Sequence, residues 1–192
     1  MAHDTALATY RSILAPHLGK GFAIGELVKP GNRRLTLPPS RLMANMLPTL
    51  ELANELRRRC LAADVGISGL RVHAAYRPSG GASRSKHLSN AALDLDLKRE
   101  EYAAAGAFNE IAALLWRELG DELTIGLGFY CRAGGRSIRA HLDAAKRTRA
   151  TTWQMSGGAY IKPPLAKRIL ANLDAAKPRR PSRSSSSSRS NA

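Results

Sequence analysis

Cysteine is nearly absent from this chain, with only Cys60 and Cys131 among 192 residues. Two cysteines far apart, in no CxxC spacing, argue against a disulfide framework and exclude a cysteine zinc knuckle. Long apolar runs are missing too: no stretch approaches the roughly 20 residues of a membrane span. The opening "MAHDTALATYRS" lacks the basic and apolar regions of a secretory signal. A protein made in the cytoplasm without a signal peptide, and with no membrane partner, is therefore expected. Acids are scarce as well, 15 Asp+Glu against 30 Lys+Arg, for a formal net charge of +15. Such a field favours polyanions, whether nucleic acid, acidic lipid or anionic wall polymers, and charge alone does not choose among them.

What is present is periodic. The length suits one domain with a real core. Helical spacing appears over 5–17, with Asp4 as an N-cap, and again after Pro48, where Leu52, Leu56 and Cys60 form a stripe. The clearest helix carries Phe108, Ile111, Ala112, Leu115 and Leu119, with Gly120 as its stop, and a last short helix spans 163–173. Residues 21–48 are rich in Gly and Pro and read as an irregular connector. Strands are expected over 69–76, 91–97, 123–130 and 136–145, the last two joined by a "CRAGG" turn. The whole reads as an α+β domain over 1–175: a small, mainly antiparallel sheet with packed helices and a cleft on its open face. Residues 176–192 end in "PRRPSRSSSSSRSNA", with nothing to anchor a core, and are expected to be a disordered basic tail. From residue 175 onward there are five basic residues and no acid, leaving +15 − 5 = +10 for the domain. A generic basic tail is no signature of specific nucleic-acid binding.

The stretch "AAYRPSGGASRSKHLSNAALDLDL" (74–97) gathers polar groups beside an apolar strand. Alternation puts Ala91, Leu93, Leu95 and Leu97 on one face and Asp94 and Asp96 on the other. In "IRAHLDA" the same arithmetic sets Arg139, His141 and Asp143 opposite Ile138, Ala140 and Leu142. Two strands would thus offer carboxylate and imidazole to one groove, with His87 arriving from the preceding turn. His87, Asp94 and His141 form an N/O set of three, which leaves a fourth position open, as in catalytic zinc sites. On spacing alone, a solvated turn histidine and a hydrogen-bonded strand-end aspartate remain the alternative.

"SKHLSNAALD" (85–94) resembles the Ser-x-His-x-x-Gly-x-Ala-x-Asp motif of the zinc D-Ala-D-Ala carboxypeptidase and dipeptidase family. That family includes the L-alanyl-D-glutamate endopeptidases of phage endolysins and shares its fold with the hedgehog signalling domain. "FAIGELVKP", "AAYRPSGGASRS" and "GLGFY…RAHLDAAKRTRATTW" are similar to its other segments, in the same order from Phe22 to Trp153. The resemblance implies Zn2+ held by His87, Asp94 and His141. It makes Arg77 a catalytic residue that contacts substrate and the developing oxyanion. Ser85 becomes a ligand-orienting or substrate-binding hydroxyl, with a turn cap as the equal alternative. Tyr76 and Trp153 either line the cleft or pack in the core. Asn90 stands where the motif has glycine, and asparagine is the residue best suited to replace it in a left-handed turn. Many relatives carry an acid shortly before the last histidine as general base, but "CRAGGRSIRA" (131–140) has none. Asp143 is then the candidate catalytic base, with a hydrogen bond to a ligand histidine or an ion pair with Arg139 as its alternatives, and Asp96 is the next choice of base. The implied activity is zinc-dependent hydrolysis of an amide bond in peptidoglycan stem peptides by a monomer acting at the cell wall, in a phage or prophage setting. Anionic wall polymers are possible partners. The alternative is a non-catalytic, zinc-containing wall-binding module.

Overall fold

Alternating leucines and aspartates can satisfy both solvents only if one face of a strand meets a helix layer, and that is the arrangement found. The computed structural model describes residues 2–19, 22–28, 36–67, 70–78, 83–131, 137–145 and 148–176. The "CRAGG" turn after Cys131 and the tail beyond Ala176 lie outside them, as does part of the 21–48 connector.

Helix α1 (Ala2–Leu14) begins before the expected cap, so Asp4 lies within its first turn, where a carboxylate suits the helix dipole. The connector is more regular than its Gly and Pro content suggests. It contains the one-turn helices α2 (Ile24–Leu27) and α3 (Ser40–Met43). The Glu26 carboxylate accepts the free Ala23 N–H at the start of α2. Helix α4 (Leu47–Ala62) starts on Pro48 and buries Leu52, Leu56 and Cys60 along one stripe. Helix α5 (Ala105–Leu123) runs one turn past Gly120, which does not end it. Gly120 is instead a packing position: a Cβ there would lie 3.2 Å from the Ala150 Cβ. Thr124 closes the helix in the left-handed conformation, φ 52°. Helix α6 (Leu165–Ala176) adds Leu170 to the core.

The six strands are β1 (Arg71–Ala74), β2 (Ala92–Asp96), β3 (Gly126–Cys131), β4 (Ser137–Asp143), β5 (Thr151–Ser156) and β6 (Ala159–Tyr160). They form one sheet in the order β1-β2-β4-β3-β5-β6, antiparallel except for the β3–β5 pair. Strands β5 and β6 had no alternating signal strong enough to be expected. Leu93, Leu95, Ala140, Leu142, Leu127 and Phe129 face the helices and are fully or almost fully buried. Register then fixes the opposite face. One cross-strand row there reads Ala74, Asp94, His141, Gly128 and Trp153, and the neighbouring row holds Asp96, Arg139 and Tyr130. No helix among the described residues is long and apolar enough to cross a membrane.

Candidate metal centre

Two of the three candidate ligands share one row of the sheet because Asp94 on β2 is paired directly with His141 on β4. The third comes from a 3-10 turn, Lys86–Ser89, that leads into β2. Ser85 caps this turn, its hydroxyl accepting the His87 N–H at 3.4 Å. Asn90 ends it in the left-handed conformation, φ 55° and ψ 38°, so the asparagine takes the conformation anticipated for the motif glycine. It also does what glycine cannot. Its side-chain amide donates to the Leu42 carbonyl at 2.9 Å and accepts from the Tyr10 hydroxyl at 3.2 Å. Nearby, Thr49 of α4 donates to the Ala91 carbonyl and accepts the Ala144 N–H, at 3.0 Å in each case. The ligand turn is thereby tied to the N-terminal helices, and both sheet segments to α4.

His87 Nε2, His141 Nδ1 and Asp94 Oδ1 form a buried triangle with edges of 3.0, 3.2 and 3.2 Å. The nitrogens on the far side of both rings are occupied. His87 Nδ1 lies 2.7 Å from the Ala75 carbonyl oxygen, and His141 Nε2 lies 3.1 Å from Asp143 Oδ2. Each oxygen can only accept, so each far nitrogen carries the proton and each neutral ring turns a bare lone pair inward. Two nitrogen lone pairs and a carboxylate oxygen, about 3 Å apart and out of water, repel one another unless a proton or a cation sits among them. A cation about 2.0–2.1 Å from each donor sets donor–donor edges of roughly 3.3 Å in a tetrahedron and roughly 2.9 Å at an octahedral corner. The triangle lies between these values. His87, Asp94 and His141 can therefore hold a metal ion as they stand.

Without a metal, the proton fills that role. Burial opposes charge on His141, but hydrogen bonds to Asp143 and Asp94 raise its pKa above the usual value. Burial likewise works against ionised Asp94, yet the His141 and His87 hydrogen bonds hold its carboxyl well below the ordinary carboxylate range.

No family model, curated protein or solved structure matches the chain.

Arg77 is 41% exposed, with Nη2 3.3 Å from Asp94 Oδ2. The guanidinium thus occupies the outer oxygen of the carboxylate whose inner oxygen belongs to the triangle. Trp153 leans on the open side of His141, ring centroids 4.9 Å apart. It can do so because Gly128 lies between them in the sheet: a Cβ there would come within 2.2 Å of the indole. Trp153 and Tyr76 are both half-buried, between core and cleft.

Asp143 is fully buried on the far side of the His141 ring from the triangle. Of the roles expected for it, this position fits the hydrogen-bond partner of a ligand histidine and not the general base. A carboxylate behind a ligand imidazole orients the ring and raises its basicity, and it does not reach a water in front of it. Asp96, the next choice, is engaged by both Nε and Nη2 of Arg139 at 2.5 and 3.0 Å. Sequence reasoning missed three participants: the Ala75 carbonyl, Gly128, and His73, whose Nδ1 lies 3.3 Å from Asp96 Oδ2. Backbone carbonyls carry no sequence signal. For His73, its place four residues before Arg77 was the only hint available.

Proposed function

We propose that this chain is a zinc-dependent hydrolase of an amide bond in peptidoglycan stem peptides. The buried triangle of two imidazole nitrogens and one carboxylate oxygen carries the proposal. Two imidazoles and a carboxylate, with no thiolate, suit zinc, and three protein donors leave a position free for water or substrate. Zinc in such a site supplies a Lewis acid and a water acidified toward neutral pH. Arg77, half-exposed at the rim, is the group to pair with a carbonyl oxygen as it gains negative charge. Ser85 acts as the cap that sets the His87 turn. The ordered motifs resembling the D-Ala-D-Ala carboxypeptidase family support stem peptides as the substrate. The +15 charge suits an anionic wall.

Metal analysis of the full chain should find one zinc, lost in His87→Ala and in His141→Ala. Unchanged zinc in both variants would sink the site. Mass analysis of purified peptidoglycan after incubation with the zinc-loaded protein should find discrete new peptide termini. The placement of Asp143 behind His141 favours a second reading, a metal-bearing wall-binding module without turnover. That module would retain zinc and wall adhesion but produce no new termini.

A further inference from the structure

The open face carries a titratable group that has no part in the triangle. Strand β1 is irregular: Val72 pairs with Leu95 and Ala74 with Asp94, so His73 is an extra residue between two consecutive partners. A bulge of this kind re-aims the side chain it carries. Here it sets the small Ala74, and not an imidazole, opposite Asp94. His73 is left beside Asp96, one pair further along, on an edge strand and 44% exposed. Its Nδ1 faces Asp96 Oδ2, and Asp96 is clamped by Arg139. The ring is thus held through one nitrogen, Nδ1, and the half-exposed side chain can offer Nε2 to water or substrate. Arg139, Asp96 and His73 form a chain of contacts across three adjacent strands, beside the row of Asp94 and His141, although the register partner of Asp96 on β1 is Arg71.

We propose that His73 is the proton-transfer residue of this site, with Asp96 and Arg139 as its positioning residues. The assignment rests on the hydrolase reading above and fills the role that Asp143, behind His141, cannot. As the water oxygen adds to the amide carbonyl carbon, His73 Nε2 takes one of the water's protons. The C–N bond then breaks with its electron pair on nitrogen, and the imidazolium returns that proton to the departing nitrogen. A carboxylic acid and an amine leave, and His73 is neutral again. Reach directly or through one water is sufficient for such a group. The charges facing it are Asp94 and Asp96 of β2, Arg139 of β4 and Arg77 beyond β1. Burial first, then Arg139 and Arg77, push the imidazole below its usual pKa, against the pull of Asp96 and Asp94. It is accordingly an uncharged acceptor at neutral pH.

The test uses the full-length, zinc-loaded protein with His73→Gln, His73→Ala and Asp96→Asn. Both His73 variants should keep their zinc and KM while kcat on peptidoglycan falls about 100-fold. Added imidazole should restore part of the His73→Ala rate, and Asp96→Asn should shift the acid limb of the pH profile. Independently of turnover, nitrogen-resolved NMR of the wild type should find that the His73 titration moves to lower pH when zinc is added to the metal-free protein. Wild-type kcat in both His73 variants overturns the assignment, as does a His73 titration indifferent to zinc. Should a variant fail to fold, the wild-type NMR titration decides alone. A wild type that loads zinc but releases no peptide termini overturns the hydrolase reading itself, which is a different result from an active His73→Gln.

Discussion

Asp143 and Asn90 act on the ligands without being among them. Asp143 accepts the outer proton of His141, and replacing it with asparagine weakens that restraint while preserving shape. Loss of such an outer partner typically costs about 10- to 100-fold in metal affinity. Asp143→Asn should therefore bind zinc in that proportion more weakly, as a competition titration against a chelator would measure. Unchanged affinity would mean that the carboxylate holds only protein. Asn90 combines a left-handed backbone with three side-chain hydrogen bonds, two of them buried. Asn90→Gly relieves the backbone but abandons the amide, whereas Asn90→Ala loses both. Left-handed alanine costs about 1–2 kcal/mol and an orphaned buried partner about 1–3 kcal/mol. Thermal or denaturant unfolding should rank the stabilities as wild type, then glycine, then alanine. Equal losses in the two variants would show that the amide carries the whole effect.

Among the elements, α4 and α5 are joined by a charged chain that never enters the core. Glu55 accepts from Arg58 and Arg59 on its own helix, and Arg59 reaches Glu118 of α5 at 2.6 Å. The Arg58 hydrogen bond is the largest influence on the Glu55 carboxyl; burial, the next largest, opposes it, and with Arg59 the group is held down at about 2. Because the folded value is depressed, the stabilisation is complete above the unfolded value of 4.5 and fades as pH falls from there toward about 2. Glu55→Gln should thus be less stable than the wild type at pH 7, by about 1 kcal/mol or less for so accessible a group. The gap should close between pH 4.5 and about 2 in denaturant titrations. A gap independent of pH would assign the loss to packing.

For the whole molecule, charge and core are separable. Leu165, Ala166, Ile169, Leu170 and Leu173 of α6 pack on the core, and Arg117 pairs with Asp174 at 3.1 Å, so the last described helix is anchored up to its final turn. Removing residues 178–192 should leave folding and zinc content unchanged. It should weaken adhesion to anionic wall material chiefly at low salt, since exposed charges are screened within about 10 Å at 0.1 M. Co-sedimentation with wall fragments across a salt series, beside metal analysis, measures both. Lost zinc in the truncated chain would mean that the tail contributes to the domain.

Periodicity alone determined which residues of "AALDLDL" and "IRAHLDA" would be buried against helices and which would meet on the other face, because side-chain alternation is a local property of extended backbone. The one-stripe α4 was legible for the same reason, whereas the left-handed Asn90 was legible because it stands where the resembled motif has glycine. Strand pairing was not local. Asp94 stands beside His141 because β4 inserts between β2 and β3 in the sheet. That pairing turned a spaced set of residues into a 3 Å triangle. The same pairing carried Asp143 behind a ring, and so chose among the roles its sequence position suggested. The bulge that sets His73 beside Asp96 exists only through the mismatch between β1 and β2. Trp153 reaches His141 only across a glycine on a third strand, through a parallel pairing that no local pattern announces. Contacts between residues far apart in sequence are chosen by the packing of the whole chain, so tertiary structure alone could decide them.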